Sequence, residues 1–154
     1  MKKQEGFTII ELLIALTIIM VLLNAAIPNL NNFYNHIKAG EKFSEISMSL
    51  QNSRTFAITK GLDTKVEMSE SSERYLIEFS QSDQMFDKIT LSKADYKIKS
   101  KSGDQKLTFK SDGLTDSTFQ AIEEGIEVCN LRVSTKRTYT INSVGLIKST
   151  ESEC

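Results

Sequence analysis

A single carboxylate, Glu11, stands near the start of a long apolar run that extends from residue 7 to residue 27. A short polar leader, residues 1 to 6, precedes this run. The run is long enough to cross a bilayer core, which takes about 20 helical residues. A charge inside such a span is costly, so it usually serves a partner or a function. The N-terminus therefore predicts a membrane-spanning helix in which Glu11 has a specific role.

The order of residues around Glu11 is also informative. The basic leader ends in Gly6, Phe7 follows, and the motif continues as Thr-x-x-Glu-Leu through Glu11. This order resembles the processing signal of type IV prepilins and pseudopilins. The resemblance implies that a prepilin peptidase cuts between Gly6 and Phe7, that the new Phe7 amine is N-methylated, and that the helix passes from the inner membrane into a filament of bundled helices. In a dry bundle Glu11 needs a cation, and the α-amine of Phe7 on an adjacent subunit is the natural one.

Two other interpretations of the N-terminus stay open. The segment from Asn24 to Pro28 imitates the small-residue cleavage site of a secretory signal peptide, and the run could also be a plain single-pass anchor. Lys2 and Lys3 precede the span, and positive flanks stay cytoplasmic. The rest of the chain is therefore expected to lie outside the bacterial inner membrane, in the periplasm or beyond.

The helical pattern continues past the apolar run. Apolar residues recur at spacings of three, four or seven and form one stripe on a helix. The stripe consists of Ala39, Phe43, Ile46, Leu50 and Ala57, and a second apolar cluster consists of Leu30, Phe33, Tyr34 and Ile37. The pattern predicts one helix from about residue 8 to about residue 60, ended by Gly61 and kinked at Pro28.

After Gly61 the apolar residues alternate with polar ones, which is typical of antiparallel strands. The predicted strands begin near Thr64, Arg74, Phe86, Tyr96, Lys106, Ile126, Thr138 and Leu146, and residues 69–73 are predicted to form an exposed loop. These elements predict an α+β fold with one long N-terminal helix packed on an antiparallel β-sheet head, and the resemblance implies that this fold is pilin-like. The expected organisation is a leader at 1–6, a membrane or filament-core half-helix at 7–28, and a head at 29–154.

Two motifs in the C-terminal half narrow the resemblance. Leu107-Thr108-Phe109-x-x-Asp112-Gly113 and Tyr139-Thr140-Ile141-Asn142-x-x-Gly145 resemble the GspH/FimT family of H-type pseudopilins and related minor pilins. A strand followed by an Asp-Gly turn is also common for structural reasons alone. The resemblance implies a minor, structural or priming subunit of a type II secretion pseudopilus or a type IV pilus, with other pilins or pseudopilins as partners. Residues 62–105 match no known pattern.

The alternative function is a DNA-binding minor pilin for DNA uptake in natural transformation. The DNA-uptake members of the family carry Gly-Arg-x-Arg in the last turn, where this chain has Gly145-Leu146-Ile147-Lys148. A weak, salt-dependent DNA-binding patch would therefore have to consist of four cations in the C-terminal part of the chain. They are Arg132, Lys136, Arg137 and Lys148. The alternative interpretation of these cations is a solvated sheet face.

The remaining composition excludes most other functions. The net charge of −1 is that of neither a basic nucleic-acid binder nor an acidic tail. The two cysteines, Cys129 and Cys154, predict one disulfide in an exported domain, with two free buried thiols as the alternative. His36 is the only histidine and has no partner at metal-ligand spacing. We expect no enzymatic activity, no cofactor, no metal and no small-molecule substrate.

Overall fold

The structure is a computed structural model that describes residues 8–100, 106–116 and 125–154. The chain divides into two compact units, Met1–Ile37 and Lys38–Cys154. The leader and the Gly6–Phe7 junction lie outside the described residues.

One helix, α1, extends over 52 residues from Ile9 to Lys60. It begins directly after Thr8 and ends before Gly61, which has a positive φ of 64°. A residue with positive φ is a common helix stop, and glycine adopts this conformation without steric cost. The predicted extent of the helix is therefore confirmed. The helix continues through Pro28, and the expected kink there stays a prediction.

In the first unit the helical residues are largely exposed. Among the described side chains from residue 8 to residue 37, all are exposed except Asn35, which is half-buried. By length and apolar composition this part of α1 could cross a membrane. Large apolar side chains on every side of a helix are unfavourable in water, so this segment fits a lipid or helix-bundle environment.

In the second unit eight strands form two antiparallel sheets of four strands each. The strands are β1 (Thr64–Glu70), β2 (Arg74–Gln81), β3 (Gln84–Ser92), β4 (Tyr96–Ser100), β5 (Lys106–Phe109), β6 (Ile126–Asn130), β7 (Thr135–Ile141) and β8 (Ile147–Glu153). The first sheet has the order β3-β2-β1-β5, and the second has the order β4-β6-β7-β8. The α+β architecture and the positions of the strands are thus confirmed.

Several strand bounds differ from the prediction. Residues 69 and 70 of the expected loop belong to β1, because Ser69 and Glu70 pair with Leu76 and Tyr75. The strand predicted from Ile126 ends at Asn130, where the Asn130 side-chain oxygen accepts hydrogen bonds from the backbone N–H groups of the next turn. Such a side-chain bond competes with strand pairing and favours a turn. The last strand extends to Glu153.

The core of the second unit lies between the C-terminal part of α1 and the inner faces of the sheets. The predicted stripe from Ala39 to Ala57 is fully buried, and the burial confirms it. It belongs to one apolar cluster with side chains from both sheets. The largest fully buried sheet residues in it are Tyr139, Phe79, Phe109, Ile89, Leu91 and Ile141. The second apolar cluster, from Leu30 to Ile37, is exposed and belongs to the first unit.

A disulfide joins Cys129 in β6 to Cys154 after β8, with 5.8 Å between the two Cα atoms. The predicted pairing is confirmed, and it includes both cysteines of the sequence. The backbone N–H of Cys154 also donates to the carbonyl oxygen of Ser134 at 3.0 Å. The disulfide therefore attaches the last residue to the middle of the second sheet.

Candidate functional sites

Glu11 lies in the first turn of α1 and forms a reciprocal capping box with Thr8. The backbone N–H and the hydroxyl of Thr8 donate to Oε2 of Glu11 at 2.9 and 2.8 Å. The backbone N–H of Glu11 donates to Oγ1 of Thr8 at 3.3 Å. Such a box satisfies donors that the first turn of a helix leaves without partners. This cap was not predicted from the sequence, although the Thr-x-x-Glu spacing is the signature of a capping box.

The side chains around Glu11 in sequence are apolar and exposed. The exposed apolar residues nearest to it in sequence are Ile9, Ile10, Leu12, Leu13 and Ile14. Within the described part of the chain, the second carboxylate oxygen, Oε1, accepts no hydrogen bond. A lone carboxylate on an apolar helix can therefore be stabilised by a cation from outside the helix, in addition to its own cap. The predicted cleavage and methylation positions, Gly6 and Phe7, lie outside the described residues.

Three of the four cations in the predicted DNA patch are paired with carboxylates. Arg132 pairs with Asp95, and Arg137 pairs with Glu151. Lys136 pairs with Glu127 at 3.2 Å between Nζ and Oε1. A cation that already has a carboxylate partner offers less attraction to a phosphate, because the two anions compete for it.

The four cations also point in different directions. The guanidinium of Arg137 lies 5.2 Å from the centre of the Phe43 ring, on the face of the second sheet that meets α1. Lys136 precedes it in β7 and therefore points to the opposite, outer face. Arg132 lies in the turn before β7, and Lys148 is an exposed residue of β8. The structure does not bring these four side chains together on one surface.

A different group of cations does come together on the outer face of the second sheet. A concavity of about 260 Å³ is lined by Lys97, Lys99, Glu127, Cys129, Leu131, Lys136 and Cys154, and we call it the lysine cavity. Strand register explains it, because Lys97 lies opposite Cys129, and Cys129 lies opposite Lys136. Lys99 lies opposite Glu127 in the next row of the same face. The alternation in residues 96–99 predicted lysines on one face, but it could not show which strands lie beside them.

The role of Arg54 was also not predicted from the sequence. Its Nε donates to the carbonyl oxygen of Gly113 at 3.2 Å, and its Nη2 donates to the carbonyl oxygen of Val144 at 3.1 Å. The backbone N–H of Thr115 donates to the carbonyl oxygen of Ser143 at 3.1 Å. Arg54 therefore holds together the two turns that the family resemblance singled out, one after β5 and one between β7 and β8.

The titratable groups of the second unit include two buried tyrosines. Burial raises the pKa of Tyr139 far above its ordinary value of 10.0, and the nearby charge of Arg137 opposes this effect. Burial also raises the pKa of Tyr96. His36 is exposed on α1, and no group of three or more His, Cys, Asp or Glu side chains suited to a metal occurs in residues 8–100, 106–116 and 125–154. That His36 and the acidic residues have no catalytic role remains an expectation.

Comparison with known protein families identifies a motif in the N-terminal segment. Residues 1–26 match the family model of the prokaryotic N-terminal methylation motif. No curated protein and no solved structure matches the chain. The matched segment includes the Gly6–Phe7 junction, Glu11 and most of the exposed apolar part of α1. This motif, together with the apolar helix and the α+β unit that follow it, supports a type IV prepilin-like protein.

Proposed function

We propose that this protein is a minor pilin or pseudopilin, a structural or priming subunit of a type II secretion pseudopilus or a type IV pilus. The observation that carries the proposal is the methylation motif on residues 1–26, which overlaps a helix of exposed apolar side chains containing one carboxylate. Such a helix needs a membrane before assembly and other helices after it.

In this account a prepilin peptidase cleaves between Gly6 and Phe7, and the new α-amine of Phe7 is methylated. Lys2 and Lys3 keep the N-terminus on the cytoplasmic side of the inner membrane. The Lys38–Cys154 unit then lies in the periplasm or outside the cell. Its disulfide supports this location, because disulfides persist in oxidising compartments.

Assembly joins the apolar helices of several subunits into a bundle. The carboxylate of Glu11 enters that bundle with Oε2 already bound to Thr8. The α-amine of Phe7 on an adjacent subunit supplies the cation that a buried carboxylate requires. This pair sets the axial register of the subunits, since a subunit displaced along the bundle leaves both charges unpaired.

Two substitutions separate the capping role of Glu11 from its charge. Glutamine also serves at this position of a capping box, so Glu11→Gln keeps the cap and removes the charge. Glu11→Leu removes both. The charge account predicts that both variants enter the membrane and are cleaved, and that both fail to enter filaments. The measurement is the amount of each variant in sheared filament fractions relative to the membrane fraction. Assembly of Glu11→Gln at the wild-type level would contradict the charge account.

The DNA-uptake alternative receives less support from the described residues. Three cations of its predicted patch are paired with carboxylates, and Arg137 faces α1 rather than the outer surface. Leu146 occupies the position of the first arginine in the Gly-Arg-x-Arg turn of the DNA-uptake members, and only Lys148, at the position of the second, keeps a positive charge. We therefore place the function in assembly and not in nucleic-acid capture.

A further inference from the structure

We propose that the lysine cavity docks an extended acidic peptide segment of a neighbouring filament subunit, whose carboxylates at alternate positions bind Lys97 and Lys99. The source of the segment rests on the proposed function, because a filament subunit has other pilin-like proteins as neighbours. The chemistry of the cavity does not depend on that source.

The cavity has more positive than negative side chains. Lys97, Lys99 and Lys136 contribute three ammonium groups, and Glu127 contributes the one side-chain carboxylate. Glu127 is already bound by Lys136, and both of these side chains are largely buried, with 17% and 25% of their surface exposed. Lys97 and Lys99 are exposed, and neither forms an ion pair with a carboxylate in the described part of the chain. An anion that enters the cavity therefore meets two ammonium groups that have no carboxylate partner among the described residues.

The spacing of the two lysines matches an extended peptide. Lys97 and Lys99 are two residues apart in β4, so their Cα atoms are about 7 Å apart and their side chains share one face. An extended ligand has the same repeat, and acidic residues at positions i and i+2 can face both lysines at once. Leu131 and the Cys129–Cys154 disulfide supply apolar surface beside the charges. Such surface suits the methylene groups of glutamate side chains.

The cavity is less suited to nucleic acid. Proteins that bind single strands combine a cationic groove with aromatic side chains on which bases stack. None of the residues that line the cavity is aromatic. The cations are lysines, which lack the planar fork with which arginine binds phosphate in a bidentate manner. A peptide carboxylate needs neither feature.

The test is a titration of the full-length protein in detergent micelles, followed by the NMR signals of isotope-labelled lysines. The probe is an acetylated and amidated peptide of alternating glutamate and serine, and the control peptide has glutamine in place of glutamate. We expect saturable binding of the glutamate peptide only. The double variant Lys97→Ala and Lys99→Ala should weaken it about 5- to 10-fold.

The matched control removes two lysines elsewhere on the same unit. Lys88 and Lys106 pair with Glu78 and Glu67 on the first sheet, so Lys88→Ala with Lys106→Ala changes the net charge equally. This control should bind the peptide as the wild type does. Equal weakening by both double variants would show non-specific attraction and would overturn the proposal, as would the absence of saturable binding.

A second probe distinguishes the class of partner. An oligothymidylate of about 12 nucleotides covers the site size of common single-strand binders. Tighter binding of this probe than of the glutamate peptide, lost on removal of Lys97 and Lys99, would assign the cavity to nucleic acid and overturn the proposal. The titration requires no filament, so its failure leaves the assembly role intact. Conversely, normal assembly of Glu11→Gln would leave the cavity proposal intact.

Discussion

The hydroxyl of Tyr139 in β7 donates a hydrogen bond of 2.7 Å to the backbone carbonyl oxygen of Phe43 in α1. Both side chains are fully buried, and they are 96 residues apart in sequence. The bond supplies the partner that a buried tyrosine hydroxyl needs, and it fixes the position of the second sheet on the helix. It is the one hydrogen bond that a residue of the C-terminal strands makes with the buried stripe of α1 in the described part of the chain.

Removal of this hydroxyl should destabilise the second unit and change its response to alkali. Tyr139→Phe keeps the ring and should lower the free energy of unfolding by about 0.5–1.5 kcal/mol. Because burial raises the pKa of Tyr139 in the folded state, its stabilising contribution is complete below pH 10.0 and is lost as the pH rises above that value. The variant should lose less stability than the wild type above this pH. Urea unfolding from neutral to alkaline pH measures both effects.

Tyr75→Phe serves as the control for that comparison. Tyr75 lies in β2, where its half-buried ring is 5.1 Å from Nζ of Lys93, and its hydroxyl donates no hydrogen bond within the described residues. Its substitution should change stability by less than about 0.5 kcal/mol. Equal effects of the two substitutions would contradict the role assigned to the Tyr139 hydroxyl.

Arg54 should be needed for the order of the two turns that it binds. Arg54→Lys keeps the charge but cannot donate two bonds in a fixed planar geometry, so both turns should lose protection. The expected cost is about 1–3 kcal/mol for either Arg54→Lys or Arg54→Ala. Hydrogen exchange of residues 110–116 and 142–146 measures the local effect. If Arg54→Lys keeps the wild-type protection, the paired hydrogen bonds to Gly113 and Val144 are not what orders the turns.

The disulfide should contribute substantially to the stability of the second unit. Cys154→Ser removes a cross-link between residues 25 apart in sequence and should cost about 2–4 kcal/mol. Thiol labelling of the denatured, non-reduced wild type should give no label. Two labels per chain would refute the disulfide, and an unchanged unfolding midpoint in Cys154→Ser would refute its stabilising role.

DNA should bind no more tightly than in the non-specific range of about 10⁻⁴–10⁻⁶ M at physiological salt. The reason is that Arg132, Lys136 and Arg137 already have carboxylate partners. Fluorescence anisotropy of a labelled duplex across a salt series measures the affinity. A sub-micromolar affinity at about 150 mM salt, lost when Arg132, Arg137 and Lys148 are all changed to alanine, would restore the DNA-uptake function.

Local patterns in the sequence predicted the helix and the strands well. The stripe from Ala39 to Ala57 is buried, and the alternating segments after Gly61 form strands. The cysteine pair also joins as predicted. The helix and strand patterns depend on residues that are close together in the sequence. The disulfide could be predicted because two cysteines allow only one pairing within the chain.

The arrangement of the strands could not be predicted in the same way. Alternation shows that a segment is a strand but does not identify its neighbours, and β4 pairs with β6 while β5 pairs with β1. For that reason the lysine cavity was missed, since Lys97 meets Lys136 only through this pairing. The role of Arg54 was missed because its partners are backbone carbonyl oxygens, which every residue has.

The mass of the mature chain tests the central claim most directly. The protein should be purified from the membrane of its native host and its N-terminal peptide identified by mass spectrometry. The account predicts that this peptide begins at Phe7 and carries one methyl group on its α-amine, and that a bulky replacement of Gly6 abolishes the cleavage. A mature N-terminus at Ala26 or later would identify a secreted protein with an ordinary signal peptide and contradict the account.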